Sequence, residues 1–150
     1  MAEREPMAAA VRLARAVDWE FWRTLDGRVD RALFERKAAA GECYVVEADG
    51  GPVGLLRWNL FWDEAPFCTL LFVAQAYRGR GLGRALMARW EADMRARGYG
   101  LAMTSTQSDE TAQHFYRKLL WRDAGGFVLD VPGYEQPLEL IMVKDLGRRA

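Results

Sequence analysis

The sequence predicts a single α/β domain in which a mixed sheet is covered by helices. Apolar runs typical of strands alternate with helical patterns in the middle of the chain, and this alternation favours such a sheet. The length of 150 residues fits one domain with its own core. We therefore expect one domain over residues 8–150, preceded by a polar segment, residues 1–7, that is disordered.

Patterns of apolar residues place seven strands and four helices along this domain. The predicted strands cover 9–15, 52–62, 67–73, 99–106, 121–129 and 138–144, and a further strand starts at Tyr44-Val45-Val46. Two predicted helices cover 19–25 and 31–40, and a third runs from Leu82 to its end at Gly98. A fourth helix has on one stripe the residues Ala112, Phe115, Tyr116 and Leu119. Alternation along the strand 52–62 sends Trp58, Leu60 and Trp62 to one face of the sheet.

Start and stop signals support these boundaries. Asp18 and Asp30 stand at positions where a carboxylate caps the first turn of a helix. Gly41 and Gly98 follow the second and third helices, as glycine commonly does at a helix end. Residues 49–51, Asp-Gly-Gly, predict a tight hairpin turn.

A glycine-rich loop follows the strand 67–73 and leads into the third helix. Residues 78–84 read Arg-Gly-Arg-Gly-Leu-Gly-Arg. Glycines let a ligand approach the backbone, and the first amides of a helix have no partner inside it. The helix dipole and the arginines add positive charge. The loop is therefore a predicted site for a multiply charged anion, most simply a diphosphate.

The spacing of the glycines narrows the choice of ligand. The dinucleotide-binding pattern Gly-x-Gly-x-x-Gly fails, because Arg84 or Leu86 stands at its sixth place, and the P-loop pattern occurs nowhere. The remaining pattern, Arg78-x-x-Gly81-x-Gly83, resembles the acyl-CoA-binding signature of the GNAT superfamily of N-acetyltransferases.

A second segment resembles the same superfamily. Residues 109–121 are similar to its signature Asn-x-x-Ala-x-x-Phe-Tyr-x-x-x-Gly-Phe. The matching residues are Ala112, Phe115 and Tyr116; the departures are Asp109 for Asn, Leu120 for Gly and Trp121 for Phe. The resemblance implies a mostly antiparallel sheet of six to seven strands whose two central strands splay apart to hold acyl-CoA. It also implies that Asp109 alters one hydrogen bond to the pantetheine arm and that Leu120 alters the turn out of the helix.

The resemblance implies that the protein is an acetyl-CoA-dependent N-acetyltransferase that works by direct attack in a ternary complex. The residues it implies for acetyl-CoA binding are Phe72, Val73, Arg78, Gly79, Arg80, Gly81, Gly83, Arg84, Asp109 and Phe115. Tyr116 is the expected general acid, since a tyrosine hydroxyl can protonate the departing thiolate. A backbone amide near Phe72 or Val73 is the expected donor to the acyl carbonyl.

The general base and the acceptor site are marked less specifically. Glu64 or Asp63, with a water relay, is the expected base, and solvated loop carboxylates are the alternative. Trp62, Asp63 and Tyr134 are candidate acceptor contacts, because aromatic rings with carboxylates suit a cationic amine. Packing in a core or a dimer is the alternative for the aromatic residues. His114 lies about 200° around the fourth helix from Tyr116 and is not expected to take part.

Composition excludes several classes of function. Zero net charge and the lack of aromatic residues interleaved with basic ones argue against nucleic-acid binding. Two cysteines and one histidine are too few for a structural zinc site, and no metal is expected. Cys43 and Cys68 are expected to be free buried thiols. No apolar stretch approaches the length of a membrane helix, so we expect a cytoplasmic protein.

Two further expectations remain open at this stage. The acceptor is a small-molecule or protein amine, and the apolar strand over residues 138–143 is a candidate to join the sheet of a homodimer. The alternative function is an acyl-CoA-binding sensor or interaction module of the same fold with degenerate catalysis; Asp109 and Leu120 keep this alternative open, and Tyr116 weighs against it.

Overall fold

The computed structural model describes residues 10–147, and the predicted disordered segment 1–7 lies outside this range. The described chain contains one mixed seven-stranded sheet in the order β1-β2-β3-β4-β5-β7-β6. The strands are β1 Ala10–Leu13, β2 Cys43–Ala48, β3 Gly51–Phe61, β4 Ala65–Val73, β5 Leu101–Gln107, β6 Arg122–Phe127 and β7 Glu139–Asp145. The α-helices are α1 Trp19–Leu25, α2 Arg31–Ala39, α3 Leu82–Ala96 and α4 Ala112–Lys118. The predicted fold class is confirmed.

The described residues form two compact units. One contains the residues up to Trp58 together with Leu70–Trp90, and the other contains Asn59–Thr69 and the residues from Glu91 onward. Strands β3 and β4 contribute residues to both.

The first unit is built on the antiparallel strands β1, β2 and β3. Its core consists mainly of apolar side chains from α1, α2 and these strands, among them Ala14, Trp22, Val29, Phe34, Cys43, Val45 and Leu55. Asp30 caps α2 as predicted, because its carboxylate accepts a hydrogen bond from the Leu33 amide at 2.8 Å. The predicted cap at Asp18 is wrong, since its carboxylate instead accepts hydrogen bonds from Arg12 and the Arg15 amide.

A buried ion pair fixes the connection between α1 and α2. The Asp26 carboxylate accepts hydrogen bonds from Arg57 Nε at 2.8 Å and from Trp22 Nε1 at 3.0 Å. It also accepts one from the Arg28 amide at 3.1 Å. Separating Asp26 from Arg57 would leave a buried charge without its partner, which is costly. The ion pair therefore holds this connection to β3.

The second unit contains β5, β7 and β6, which pair antiparallel. The chain enters β7 at Glu139, and β7 lies between β5 and β6. Both edges of β7 are therefore occupied, and the prediction that residues 138–143 extend the sheet of a homodimer is wrong. The buried Glu91 carboxylate of α3 forms an ion pair with Lys144 of β7 at 2.6 Å.

The parallel pairing of β4 with β5 is short. Among the described residues it comprises the partners Phe67 with Met103 and Cys68 with Thr104. β4 continues for five residues beyond Cys68, to Val73.

Candidate active site

The loop after β4 has the backbone that its glycines predict. Gly79 and Gly81 have φ angles of +77° and +79°, in the left-handed region that glycine adopts at least cost. A Cβ added to either would meet no atom within 4 Å, apart from the residue's own chain neighbours. Both glycines therefore border open space that a ligand can enter.

Helix α3 begins directly after Gly81. The Ala85 amide donates to the Gly81 carbonyl at 3.0 Å, which closes the first turn. The amides of that first turn, at Leu82, Gly83 and Arg84, have no partner within the helix because no earlier turn exists. These amides and the positive end of the dipole of a 15-residue helix form a fitting environment for an anion.

The side chain of Arg78 folds back onto the end of β4. Its Nε donates to the Val73 carbonyl at 3.0 Å, and its guanidinium lies 4.8 Å from the centre of the Phe72 ring. Arg80 lies 5.2 Å from the centre of the Tyr77 ring. Arg84 is exposed in the first turn of α3. The loop therefore carries three cationic side chains, of which two are held against aromatic rings.

The end of β4 is positioned by close approach to β3. The Ala74 amide donates to the Val53 carbonyl at 2.8 Å. A Cβ on Gly54 would lie 3.1 Å from the Phe72 carbonyl oxygen and 2.9 Å from Val46 Cγ1. Gly54 is thus required for this approach, which orients the backbone of Phe72 and Val73.

Tyr116 is the buried residue of α4, with 6% of its surface exposed. The ring packs against Phe115 and Trp121, with centroid distances of 5.3 and 5.8 Å. Burial raises the pKa of Tyr116, so its phenol stays protonated at neutral pH.

The turn after α4 keeps a glycine-like backbone without a glycine. Leu120 has a φ of +71° and is 81% exposed. The Trp121 amide donates to the Tyr116 carbonyl and the Leu120 amide to the Arg117 carbonyl, each at 3.1 Å. This pair of bonds is the Schellman motif. The motif is therefore intact, and the prediction that Leu120 alters the turn is wrong as far as its hydrogen bonds are concerned. A leucine with a positive φ nevertheless adds backbone strain.

The other residues of the second signature are more exposed. Asp109 lies exposed in the turn before α4, Phe115 is half-buried, and His114 is exposed. The Gln113 side chain donates to the Ser108 carbonyl at 2.8 Å, which ties α4 to that turn. The indole nitrogen of Trp121 is buried and has no hydrogen-bond partner among the described atoms.

The connection between β3 and β4, residues 62–64, contains a β-turn with Trp62 and Asp63 at its centre. Trp62 and Asp63 have φ angles of +56° and +59°, and the Glu64 amide donates to the Phe61 carbonyl at 3.0 Å. This geometry is a type I′ turn, formed here without glycine. Trp62 therefore lies in the turn, and the prediction that it follows the strand alternation is wrong. Trp58, in contrast, is buried and packs against Trp90 at 6.4 Å.

The turn exposes an aromatic ring beside two carboxylates. Trp62 is 78% exposed and packs 4.7 Å from Phe61, whereas Asp63 and Glu64 are exposed to solvent. Glu64 lies four residues before Cys68 in the sequence, and four residues of extended strand span about 13 Å. Tyr134 is exposed in the loop between β6 and β7.

Sequence reasoning missed Thr104, whose hydroxyl links β5 to β4 by donating to the Cys68 carbonyl at 2.9 Å. One signal for it existed. Thr104 and Thr106 alternate along an otherwise partly apolar strand, and both are buried, so their hydroxyls require partners. Neither Cys43 nor Cys68 forms a disulfide, and both side chains are buried as predicted.

Two kinds of feature are absent from residues 10–147. No group of three or more histidine, cysteine, aspartate or glutamate side chains there is arranged to hold a metal ion. None of the helices in this range combines the length and the apolarity that crossing a membrane requires.

The family follows from the sequence profile of the acetyltransferase (GNAT) domain, which matches residues 39–119. This range covers more than half of the chain and includes both the glycine loop and Tyr116. The chain therefore belongs to the GNAT acetyltransferase family. No curated protein sequence matches it.

Solved structures of low sequence identity share the fold. An N-acetyltransferase from Staphylococcus aureus superposes with a TM-score of 0.79 at 20% identity, covering 93% of this chain and 99% of that one. The protein yncA from Salmonella typhimurium, solved with its cofactor acetyl-CoA, gives a TM-score of 0.77 at 18% identity and covers 95% of this chain and 96% of that one. A ribosomal-protein-alanine N-acetyltransferase from Brucella melitensis gives 0.77 at 19% identity and covers 91% and 99%.

Proposed function

We propose that this protein is an N-acetyltransferase that transfers an acetyl group from acetyl-CoA to a primary amine. The observation that carries the proposal is the loop in which Gly79 and Gly81 adopt positive φ angles beside open space, directly before a long helix. Membership of the GNAT acetyltransferase family supports the same function.

In this proposal the glycine loop binds the diphosphate of coenzyme A. The first amides of α3 donate hydrogen bonds to the phosphate oxygens, and the loop arginines add charge. The residues assigned to acetyl-CoA are Phe72, Val73, Arg78, Gly79, Arg80, Gly81, Gly83, Arg84, Asp109 and Phe115. Of these, an amide of Phe72 or Val73 donates to the acyl carbonyl, where charge develops during the attack.

The proposed reaction forms an amide and breaks a thioester. The nitrogen of a neutral amine attacks the acyl carbon, the carbon–sulfur bond breaks, and coenzyme A leaves as a thiolate. The nitrogen releases one proton to water as the amide forms. Tyr116 is assigned as the general acid that gives the sulfur a proton. A tyrosine phenol, with an ordinary pKa of about 10, holds its proton at neutral pH and can therefore donate it.

A base must also act, since an alkyl amine with a pKa of about 10.4 is mostly protonated at neutral pH. Glu64, with Asp63 beside it, is proposed to accept that proton through water. Trp62, Asp63 and Tyr134 are proposed to contact the acceptor, and the exposed indole of Trp62 next to carboxylates supports a cationic group there. The Brucella neighbour is named for a protein alanine amine, which makes peptide amines acceptors to test.

The proposal is tested by release of coenzyme A thiol from acetyl-CoA in the presence of a panel of amines. The panel contains polyamines, amino acids, amino sugars and peptides with free N-termini, and mass spectrometry identifies any product that gains an acetyl group. Burial raises the pKa of Cys43 to about 12 and Cys68 is also buried, so a thiol reagent reports the released coenzyme. We expect thiol release that depends on an amine.

Two outcomes would contradict the proposal in different ways. Saturable binding of acetyl-CoA without acetylation of any amine would favour the acyl-CoA-binding module instead of the enzyme. Failure to bind acetyl-CoA would contradict both functions.

A further inference from the structure

The side chain of Arg78 makes two contacts with the end of β4. Its Nε donates a hydrogen bond to the Val73 carbonyl at 3.0 Å, and its guanidinium carbon lies 4.8 Å from the centre of the Phe72 ring. Arg80, in contrast, lies over the ring of Tyr77, within the loop itself. Arg78 thus links the glycine loop to the strand that precedes it.

The peptide group between Val73 and Ala74 is held at both ends. Its N–H, on Ala74, donates to the Val53 carbonyl of β3 at 2.8 Å, and its C=O, on Val73, accepts the hydrogen bond from Arg78. The N–H and C=O of a planar trans peptide group point in opposite directions. The Val73 carbonyl therefore points away from β3, and Arg78 holds it in that direction.

The direction of the Val73 amide follows from the same geometry. In an extended strand the N–H and C=O of one residue point to the same edge, and those of the next residue point to the opposite edge. The Phe72 carbonyl lies close to β3, since a Cβ added to Gly54 would be 3.1 Å from its oxygen. The amide of Phe72 therefore points toward β3, and the amide of Val73 points away from it, beside the carbonyl that Arg78 binds.

We infer that Arg78 is a positioning residue, which holds the end of β4 so that the Val73 amide is aligned with the acyl carbonyl of acetyl-CoA. The inference rests on the proposed function. In that reaction the acyl oxygen gains negative charge when the amine nitrogen bonds to the acyl carbon, and it loses this charge when the carbon–sulfur bond breaks. A donor that is already in place stabilises the charge without reorganisation.

Three substitutions separate the hydrogen bond of Arg78 from its charge. Arg78→Gln places an amide nitrogen at the same position along the side chain as Nε, so it keeps the donor and loses the charge. Arg78→Lys keeps the charge but has a methylene group at that position, and Arg78→Met has neither the donor nor the charge. Because Arg78 is exposed, none of these substitutions removes a contact from the core.

Steady-state kinetics should show that kcat follows the donor. We expect kcat to fall about tenfold in Arg78→Met and Arg78→Lys, which is part of the roughly 10²–10³-fold effect of losing a whole donor to the acyl oxygen. Arg78→Gln should retain most of kcat. KM for acetyl-CoA should follow the charge instead and rise by less than about tenfold in Arg78→Gln and Arg78→Met. Full kcat in Arg78→Met, or failure of Arg78→Gln to retain kcat, would overturn the inference.

Hydrogen exchange of the Ala74 amide tests the inference without turnover. This amide belongs to the peptide group that Arg78 holds, so loss of the contact should let it open more often. In isotope-labelled protein without substrates, NMR should show exchange about two- to tenfold faster in Arg78→Met and Arg78→Lys, and a rate close to that of the wild type in Arg78→Gln. Equal rates in the wild type and Arg78→Met would overturn the inference.

Failure of the proposed function has a different result. Absence of acetyl transfer by the wild type would contradict the proposed function, whereas the exchange rates of Ala74 would still decide whether Arg78 holds the end of β4.

Discussion

Gly81 and Leu120 have nearly the same backbone conformation and differ in what they contribute. Gly81 precedes α3 with a φ of +79°, and Leu120 follows α4 with a φ of +71°. At Gly81 the missing side chain leaves the first amides of α3 open to a ligand. At Leu120 a side chain is present, the conformation costs energy, and the result is a fixed end to the helix that holds Tyr116.

The contrast between Gly81 and Leu120 indicates that the two signature segments contribute to function in different ways. In the loop before α3, the proposed contacts come mainly from backbone amides, so an added side chain does the most damage. In the region around Tyr116, the proposed chemistry comes from one hydroxyl, so the loss of a single oxygen atom matters most. Substitutions in each region can separate these two modes.

The largest effect is expected for Tyr116→Phe. Loss of a general acid lowers kcat by about 10²–10⁴-fold, whereas affinity for acetyl-CoA should change little because the loop is untouched. Steady-state kinetics together with calorimetry measures both quantities. Tyr99→Phe, a tyrosine outside the candidate site, is the control and should match the wild type. Unchanged turnover of Tyr116→Phe would remove this residue from the mechanism.

The protonation of Tyr116 predicts a specific loss of stability at alkaline pH. Because the folded pKa lies above the unfolded value of about 10, the folded state holds the proton more tightly, and this contribution is complete below pH 10. Above that pH it declines by up to about 1.4 kcal/mol per pH unit. Chemical unfolding between pH 9 and 11 should therefore show a steeper decline in the wild type than in Tyr116→Phe. Parallel curves for the two proteins would be inconsistent with a buried phenol.

Leu120→Gly should stabilise the protein. Glycine adopts a positive φ without the clash that leucine makes, and the free energy of unfolding should rise by about 1 kcal/mol. Leu120→Ala keeps the strained conformation and removes only exposed atoms, so it should change stability much less. Denaturant unfolding of the three proteins measures the difference. Equal stability of Leu120→Gly and Leu120→Ala would mean that the backbone at this turn stores no strain.

The smallest effect is expected for Arg80→Ala. Its guanidinium lies over the Tyr77 ring on an exposed loop, where a charged contact contributes about 0.2–1 kcal/mol. Affinity for acetyl-CoA should fall by less than about tenfold, and the difference from the wild type should shrink at high salt. Titrations with acetyl-CoA at two salt concentrations measure this affinity. If Arg80→Ala lost as much affinity as a variant with a side chain added at Gly81, the loop would not bind mainly through its backbone amides.

The glycine loop and the helix with Tyr116 were predictable because local rules fix them. The glycines set the loop backbone, and the apolar spacing of α4 buries Tyr116. The position of Trp62 was not predictable, because a type I′ turn usually contains glycine or asparagine, and only the pairing of β3 with β4 forces Trp62 and Asp63 into it. The hydrogen bond from Thr104 to β4 and the position of β7 between β5 and β6 depend on which strands meet. Strand order follows from long-range packing that local patterns do not encode.

Calorimetry with acetyl-CoA measures directly whether the glycine loop binds the diphosphate of coenzyme A. Gly81→Glu adds a side chain and a negative charge where the diphosphate is proposed to bind. Gly50→Glu, at a turn glycine with a φ of +88° and open space around it, imposes similar backbone strain elsewhere. We predict saturable heat for the wild type and for Gly50→Glu, with affinity at least about 100-fold weaker for Gly81→Glu. No heat with the wild type, or equal affinity for all three proteins, would mean that the glycine loop does not bind the diphosphate of coenzyme A.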